Sequence, residues 1–185
     1  MTQKDAFCNL LRERSKEHRL AISLMIENGL YGQAISILRQ ELDSMVRTIF
    51  LLEKSDINVR NHYMSQTLNN QKWTFPNSRT LVTDRHMVEF SNNLYGWSLS
   101  VYKLGCAFIH LSPMSNYTNK NPFFYLPDTE IQDIKQHLHH YHNFSLEEEL
   151  NMNTVIPYLQ RVFTKVADNL EYNITLLEEE KISEF

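Results

Sequence analysis

Residues that break or staple a fold are scarce in this 185-residue chain, which has four glycines, five prolines and two cysteines. So little glycine and proline argues against a turn-rich sandwich or a disordered chain. With 42% apolar and 22% charged residues, the composition is that of a helical globular protein. Cys8 and Cys106 lie far apart, each inside an apolar helical pattern, and no disulfide framework is expected. The opening MTQKDAFCNLL lacks the basic-then-apolar layout of a secretory signal, which predicts a reducing cytoplasm. No apolar run approaches the ~20 residues of a membrane-spanning helix. Even LYGWSLSVYKLGCAFIHL is interrupted by Lys103, serines and glycines, so no membrane partner is expected. A cationic surplus is also missing: the formal net charge is −4, with the acidic excess gathered in SLEEEL and TLLEEEKISEF. Any contact with nucleic acid must therefore be local.

What the chain does have is apolar residues at helical spacing. Phe7, Leu11, Ile22 and Met25 mark a first helix up to about Asn28, stopped by ENGLYG. Ile35, Leu38, Leu42, Met45, Ile49 and Leu52 form the seam of a second helix over 31–53, and the two read as a hairpin. A short helix is expected around 60–68, then a loop around Trp73, Phe75 and Pro76. Asp84 to Leu111 reads as one long helix, closed by the proline-rich SPMSNYTNKNPFFYLPD. Thr129 with Gln132, and Ser145 with Glu148, offer capping-box starts, and a final helix spans about 154–180. The expectation is a single all-α domain over 1–185, an antiparallel bundle of four long helices plus short ones.

The long third helix carries two stripes. Leu94, Trp97, Val101, Leu104, Phe108 and Leu111 are large and apolar and should face the core. About a quarter turn away, Asn93, Gly96, Ser100, Lys103, Ala107 and His110 are small except for one cation and one imidazole. Such a groove suits a partner helix or a ligand. Read more plainly, Lys103 snorkels to water and His110 complements the helix C-terminus.

GQAISILRQELDSMVRTIFLL, followed by a long helix ending VYKLGCAFIHLSP, resembles the HEPN superfamily of all-α domains found in prokaryotic toxin and defence systems. The resemblance covers about half the chain. The family's hallmark is an Arg followed, four to six residues on, by a His; here Lys103, six residues and His110 occupy that place, a departure from Arg. By resemblance, the protein is expected to be a metal-independent endoribonuclease, without cofactor, working as a homodimer. His110 would move the proton of the ribose 2′-OH, and Lys103 would stabilise charge on the phosphoryl oxygens. Arg lends phosphate a planar fork that Lys lacks, so a second reading stays open. In it the chain is a catalytically silent module that dimerises through the same helix and binds RNA, a nucleotide or a partner protein such as an antitoxin. Arg12 with His18 and Arg79 with His86 meet the same spacing, with His86 the second choice.

Four further residues are expected to touch substrate. Arg39 and Arg47 flank Asp43 at four-residue steps on the second helix, where they serve either RNA phosphates or an ion-pair ladder. Tyr102 and Ser112 flank the Lys103–His110 pair and offer hydroxyls. Arg14 and His18 sit near the first helix's apolar stripe, where a structural hydrogen bond is the simpler expectation. HLHHYH, with Asp133 one turn ahead of His137, offers ligand spacing, but a solvated helix end is the preferred reading and no metal is expected. In NPFFYLP, Phe123, Phe124 and Tyr125 either stack on bases or pin the loop to the bundle.

Overall fold

The computed structural model describes residues 2–180, apart from the side chain of Tyr95. Seven α-helices make up most of it: α1 Gln3–Glu27, α2 Tyr31–Leu52, α3 Ile57–Leu68, α4 Asp84–Tyr95, α5 Ser98–Ile109, α6 Asp128–His142 and α7 Met152–Glu178. Two short 3-10 turns, Pro113–Asn116 and Pro122–Tyr125, join α5 to α6. Among the described residues there is no strand, only one isolated bridge between Thr74 and Leu81. None of these helices is long and apolar enough to cross a membrane.

α2 is the central element, packing on α1, α3, α4, α5 and α7. Its expected seam, Ile35 through Leu52, is buried almost without remainder. One apolar core, running from Phe7 of α1 to Leu177 of α7, collects round it. α1 starts from a capping box in which Thr2 and Asp5 satisfy each other's backbone amides. It stops at Asn28, where Gly29 takes φ +71°, the left-handed turn that ENGLYG implies. The loop after α3 is pinned by buried Trp73, whose indole N–H donates to Thr67 Oγ1 at 2.8 Å while its ring packs on Tyr63 and Phe50.

The expected long helix over 84–111 is instead a hairpin. Gly96 adopts φ +73° and returns its N–H to the Asn92 carbonyl, ending α4 in a left-handed cap. Trp97 turns inward and is buried. Ser98 Oγ donates to the Val88 carbonyl at 3.2 Å, and Asn92 Oδ1 accepts from Leu99 N at 3.2 Å, so α5 folds back along α4. In a straight helix Asp84 and Tyr102 would stand ~27 Å apart. Here both reach the side chain of Arg39. The extrapolated core stripe fails at both ends as a result: Leu94 is exposed, and Leu111, beyond the end of α5, is 101% exposed.

Two of the expected helix starts also differ. α6 begins at Asp128 after Pro127, with no side-chain cap, so Thr129 and Gln132 form no capping box. Ser145 to Glu148 is a turn, and the last helix takes its box from Asn151 and Thr154.

α5 approaches α2 most closely at Gly105, where a Cβ would lie 2.5 Å from Arg39 Cβ and 2.8 Å from its Cγ. The first carbons of a buried arginine stem cannot yield as a flexible side-chain end can. Gly105→Ala is expected to cost about 1–3 kcal/mol of stability, read as a lower urea midpoint at unchanged slope.

Candidate functional site

The geometry of the α5 end follows from its cap. His110 is the C-cap residue, with φ −99° and ψ 148°, so the chain leaves the helix extended. Ser112 Oγ donates to the Ala107 carbonyl at 2.6 Å, satisfying one open acceptor of the last turn. Ser112 is therefore a helix-closing residue. His110 is exposed, as are Ile109 and Leu111 on either side, and its imidazole has no hydrogen bond or ion pair with a described residue.

Lys103 lies seven residues earlier, ~10 Å back along the axis, and its Nζ pairs with Glu130 Oε1 at 3.0 Å. Glu130 belongs to α6, which packs along α5, and Ser100, Lys103 and Ala107 are all half-buried. The middle of the small-residue stripe thus lies beside a helix of the same chain, while Asn93, Gly96 and His110 are exposed. Lys103 is directed to α6, whereas His110 leaves the end of α5 on an extended backbone.

Three other nominated residues do converge. Arg39 is buried, at 5% exposure, with its guanidinium stacked 4.2 Å from the Tyr102 ring centroid. Its Nη2 reaches Asp84 Oδ2 only at 3.4 Å, and its Nε has no partner. Arg47 donates through Nε to both oxygens of Asp43, at 3.1 and 3.0 Å, and through Nη2 to Asp84 Oδ1 at 2.7 Å. Arg14 approaches from α1, 3.6 Å from Asp43 and 3.2 Å from Ser44 Oγ. Three guanidiniums and two carboxylates from α1, α2 and α4 thus form one network, with Tyr102 of α5 as its apolar floor. Burial, and after it the charge of Asp43, pushes the Asp84 carboxyl above the ordinary carboxylate range. Burial also raises the Tyr102 phenol. Asp84 carried no signal in the sequence beyond a place in a first turn, because its partners lie 37 and 45 residues away.

A second buried cluster lies between α1 and α2. Glu41, 0% exposed, accepts from Ser15 Oγ and pairs with His18 Nδ1 at 2.6 Å. The serine and histidine both address the carboxylate rather than each other. With all three side chains enclosed, this is a polar staple between two helices, the structural role expected for His18.

The HLHHYH segment is only partly solvated. His139 Nδ1 lies 2.8 Å from the Phe144 carbonyl at the end of α6, and His140 is exposed. His137 turns inward against Trp97 and Tyr141, and neither ring nitrogen has a partner. Among the described residues no group of three or more His, Cys, Asp or Glu is placed to hold a metal ion. The aromatic loop divides its labour: Phe123 is buried, while Phe124 is 73% exposed at the rim of a cleft of about 510 Å³. Tyr31, Tyr117, Lys120 and Glu149 also line that cleft. His86, the second-choice histidine, is exposed at the start of α4, with Phe50 and Phe75 set edge-on to its ring.

Compared with protein-family models, curated proteins and solved structures, the chain matches none.

Burial, and then the neighbouring His142, push the His137 imidazole down to about 4 from its usual 6.5. The folded protein therefore binds this proton more weakly than the unfolded chain does. The stability that the neutral ring contributes is complete above about pH 6.5 and is lost as the pH falls toward 4. Urea unfolding across that window is expected to show a loss of up to about 3 kcal/mol, smaller in His137→Phe. Equal losses in the two proteins would show that the ring is not the titrating group.

Proposed function

We propose that this chain is a HEPN-like bundle of the toxin or defence type, working in the cytoplasm as a catalytically silent association module. It pairs with a second copy of itself through the end of α5. The observation that carries this reading is the Ile109–His110–Leu111 tip, three consecutive exposed residues at the end of a half-buried helix. Covering a fully exposed leucine gains about 1.5–3 kcal/mol, and a two-fold contact counts that gain twice. The charge distribution supports silence in the protomer. Arg47 is paired with Asp43 and Asp84, Arg39 shares Asp84 at 3.4 Å, and Lys103 is paired with Glu130. The two free cysteines, Cys8 buried and Cys106 half-buried, suit a reducing compartment.

One observation favours ribonuclease activity as the second reading: the free, exposed imidazole of His110. Three other histidines are shut away from a substrate: His18 is enclosed with Glu41, and His137 and His142 have buried ring nitrogens. The Lys103–Glu130 pair is partly exposed and worth only about 0–1 kcal/mol, so an RNA phosphate is able to draw the lysine away. In that reading the two histidines of a dimer would share one cleft across the paired α5 ends.

Sedimentation separates these outcomes. Wild-type protein is expected to dimerise and Leu111→Glu to remain monomeric with an unchanged thermal midpoint; a monomeric wild type ends the association reading. Single-stranded RNA incubated with wild type and chelator is expected to stay intact. Cleavage that disappears in His110→Ala would instead establish the ribonuclease.

A further inference from the structure

Arg39 is a buried guanidinium that its carboxylate neighbours satisfy only in part. It is nine-tenths enclosed, yet its Nε has no partner, and its one carboxylate contact, at 3.4 Å, is long for a charge-assisted bond. The guanidinium does not reposition freely. Its plane lies on the Tyr102 ring, and its stem is pressed against Gly105, the position on α5 where even a methyl group would clash. Beside it, Arg47 is fixed by Asp43 through Nε, which leaves Nη2 directed at Asp84. Asp84 therefore stands between two preset forks and serves one well and the other poorly. A planar carboxylate has two oxygens in one plane; a tetrahedral phosphate has oxygens that can meet two forks at once.

We propose that Arg39 and Arg47, with Arg14 at the rim, form a binding site for a phosphate group, and that Asp84 is the carboxylate that fills it when the ligand is absent. Asp84 suits this role because its side chain is two-fifths exposed, on the first residue of α4. It can swing toward water without unmaking the helix, whose N-cap bond, from His86 N to Thr83 Oγ1, does not involve it. With Asp84 displaced, three guanidinium charges less that of Asp43 leave a net +2, matched to a phosphomonoester or to successive diester phosphates. Asp43 does not block the ligand, because Arg47 Nε and Arg14 already hold its oxygens. The raised Asp84 carboxyl agrees with a plug that is held loosely. Ligand entry would pull the start of α4 away from α2, coupling phosphate binding to the α4–α5 hairpin. This site does not depend on pairing through the α5 end.

Calorimetric titration with inorganic phosphate at fixed chloride tests it on the full chain. Asp84→Asn keeps the side chain's size and removes the competing charge, and is expected to bind phosphate about tenfold or more tightly than wild type. Adding Arg47→Gln to that variant should remove the gain, with thermal melts confirming that both variants are folded. Equal phosphate affinity in wild type and Asp84→Asn, or an undiminished gain in the double variant, overturns the proposal. Two single-stranded RNAs differing only in a 5′-phosphate identify the source of the group. Tighter binding of the phosphorylated strand that follows the same Asp84 and Arg47 dependence assigns the site to RNA ends, whereas dependence seen with inorganic phosphate alone assigns it to a small phosphate ligand.

Discussion

Enclosing α2 on nearly every side is the constraint from which the rest of the structure follows. A helix so placed gains its apolar seam's worth of burial but leaves no solvent for the polar residues that it buries, Arg39, Glu41, Ser44 and Thr48. Each has to find a partner inside the bundle. Thr48 returns its hydroxyl to the Ser44 carbonyl at 2.9 Å, and Glu41 draws Ser15 and His18 down from α1. Arg39, Asp43 and Arg47 recruit Asp84 and Arg14. Removing one member of such a network costs about 3–5 kcal/mol, so these contacts fix which face each neighbouring helix presents to α2.

The bend at Gly96 is what makes that arrangement possible. One charged ladder on α2 must meet a carboxylate from the start of α4 and an aromatic ring from the middle of α5, and only a hairpin delivers both to Arg39. Gly96 permits the left-handed turn, and Trp97 anchors it from within. Gly105, half an element further on, lets α5 close on the Arg39 stem. Two of the four glycines in the chain thus serve one contact, which gives the scarcity of glycine a structural reading.

Helices α1, α2 and α7 were legible from the sequence because their apolar residues repeat at helical spacing over many turns, and the repeat survives whatever packs on it. The α4–α5 hairpin was not, because the apolar spacing runs through Gly96 without a phase error, and a lone glycine in a periodic run reads as tolerated. Arg39, Arg47 and Tyr102 were nominated from local spacing and do meet in space. The carboxylate that the two arginines share, Asp84, did not show, since an ion pair between α2 and α4 leaves no trace in either segment. Glu130 was missed for the same reason: nothing around it names Lys103.

The Lys103–His110 spacing shows where stripe arithmetic stops. Counting by three and four assumes that both residues belong to the same regular helix, and His110 is the first residue off it, already extended. Its side-chain direction is set by the cap and by the Ser112–Ala107 bond, not by the 100° step that aligned it with Lys103 on paper. Lys103 meanwhile takes its direction from α6. The two residues share a motif spacing, one on the regular helix and one at its cap. Whether the pair acts together depends on what reaches both, such as a second copy of the chain placed over the α5 end.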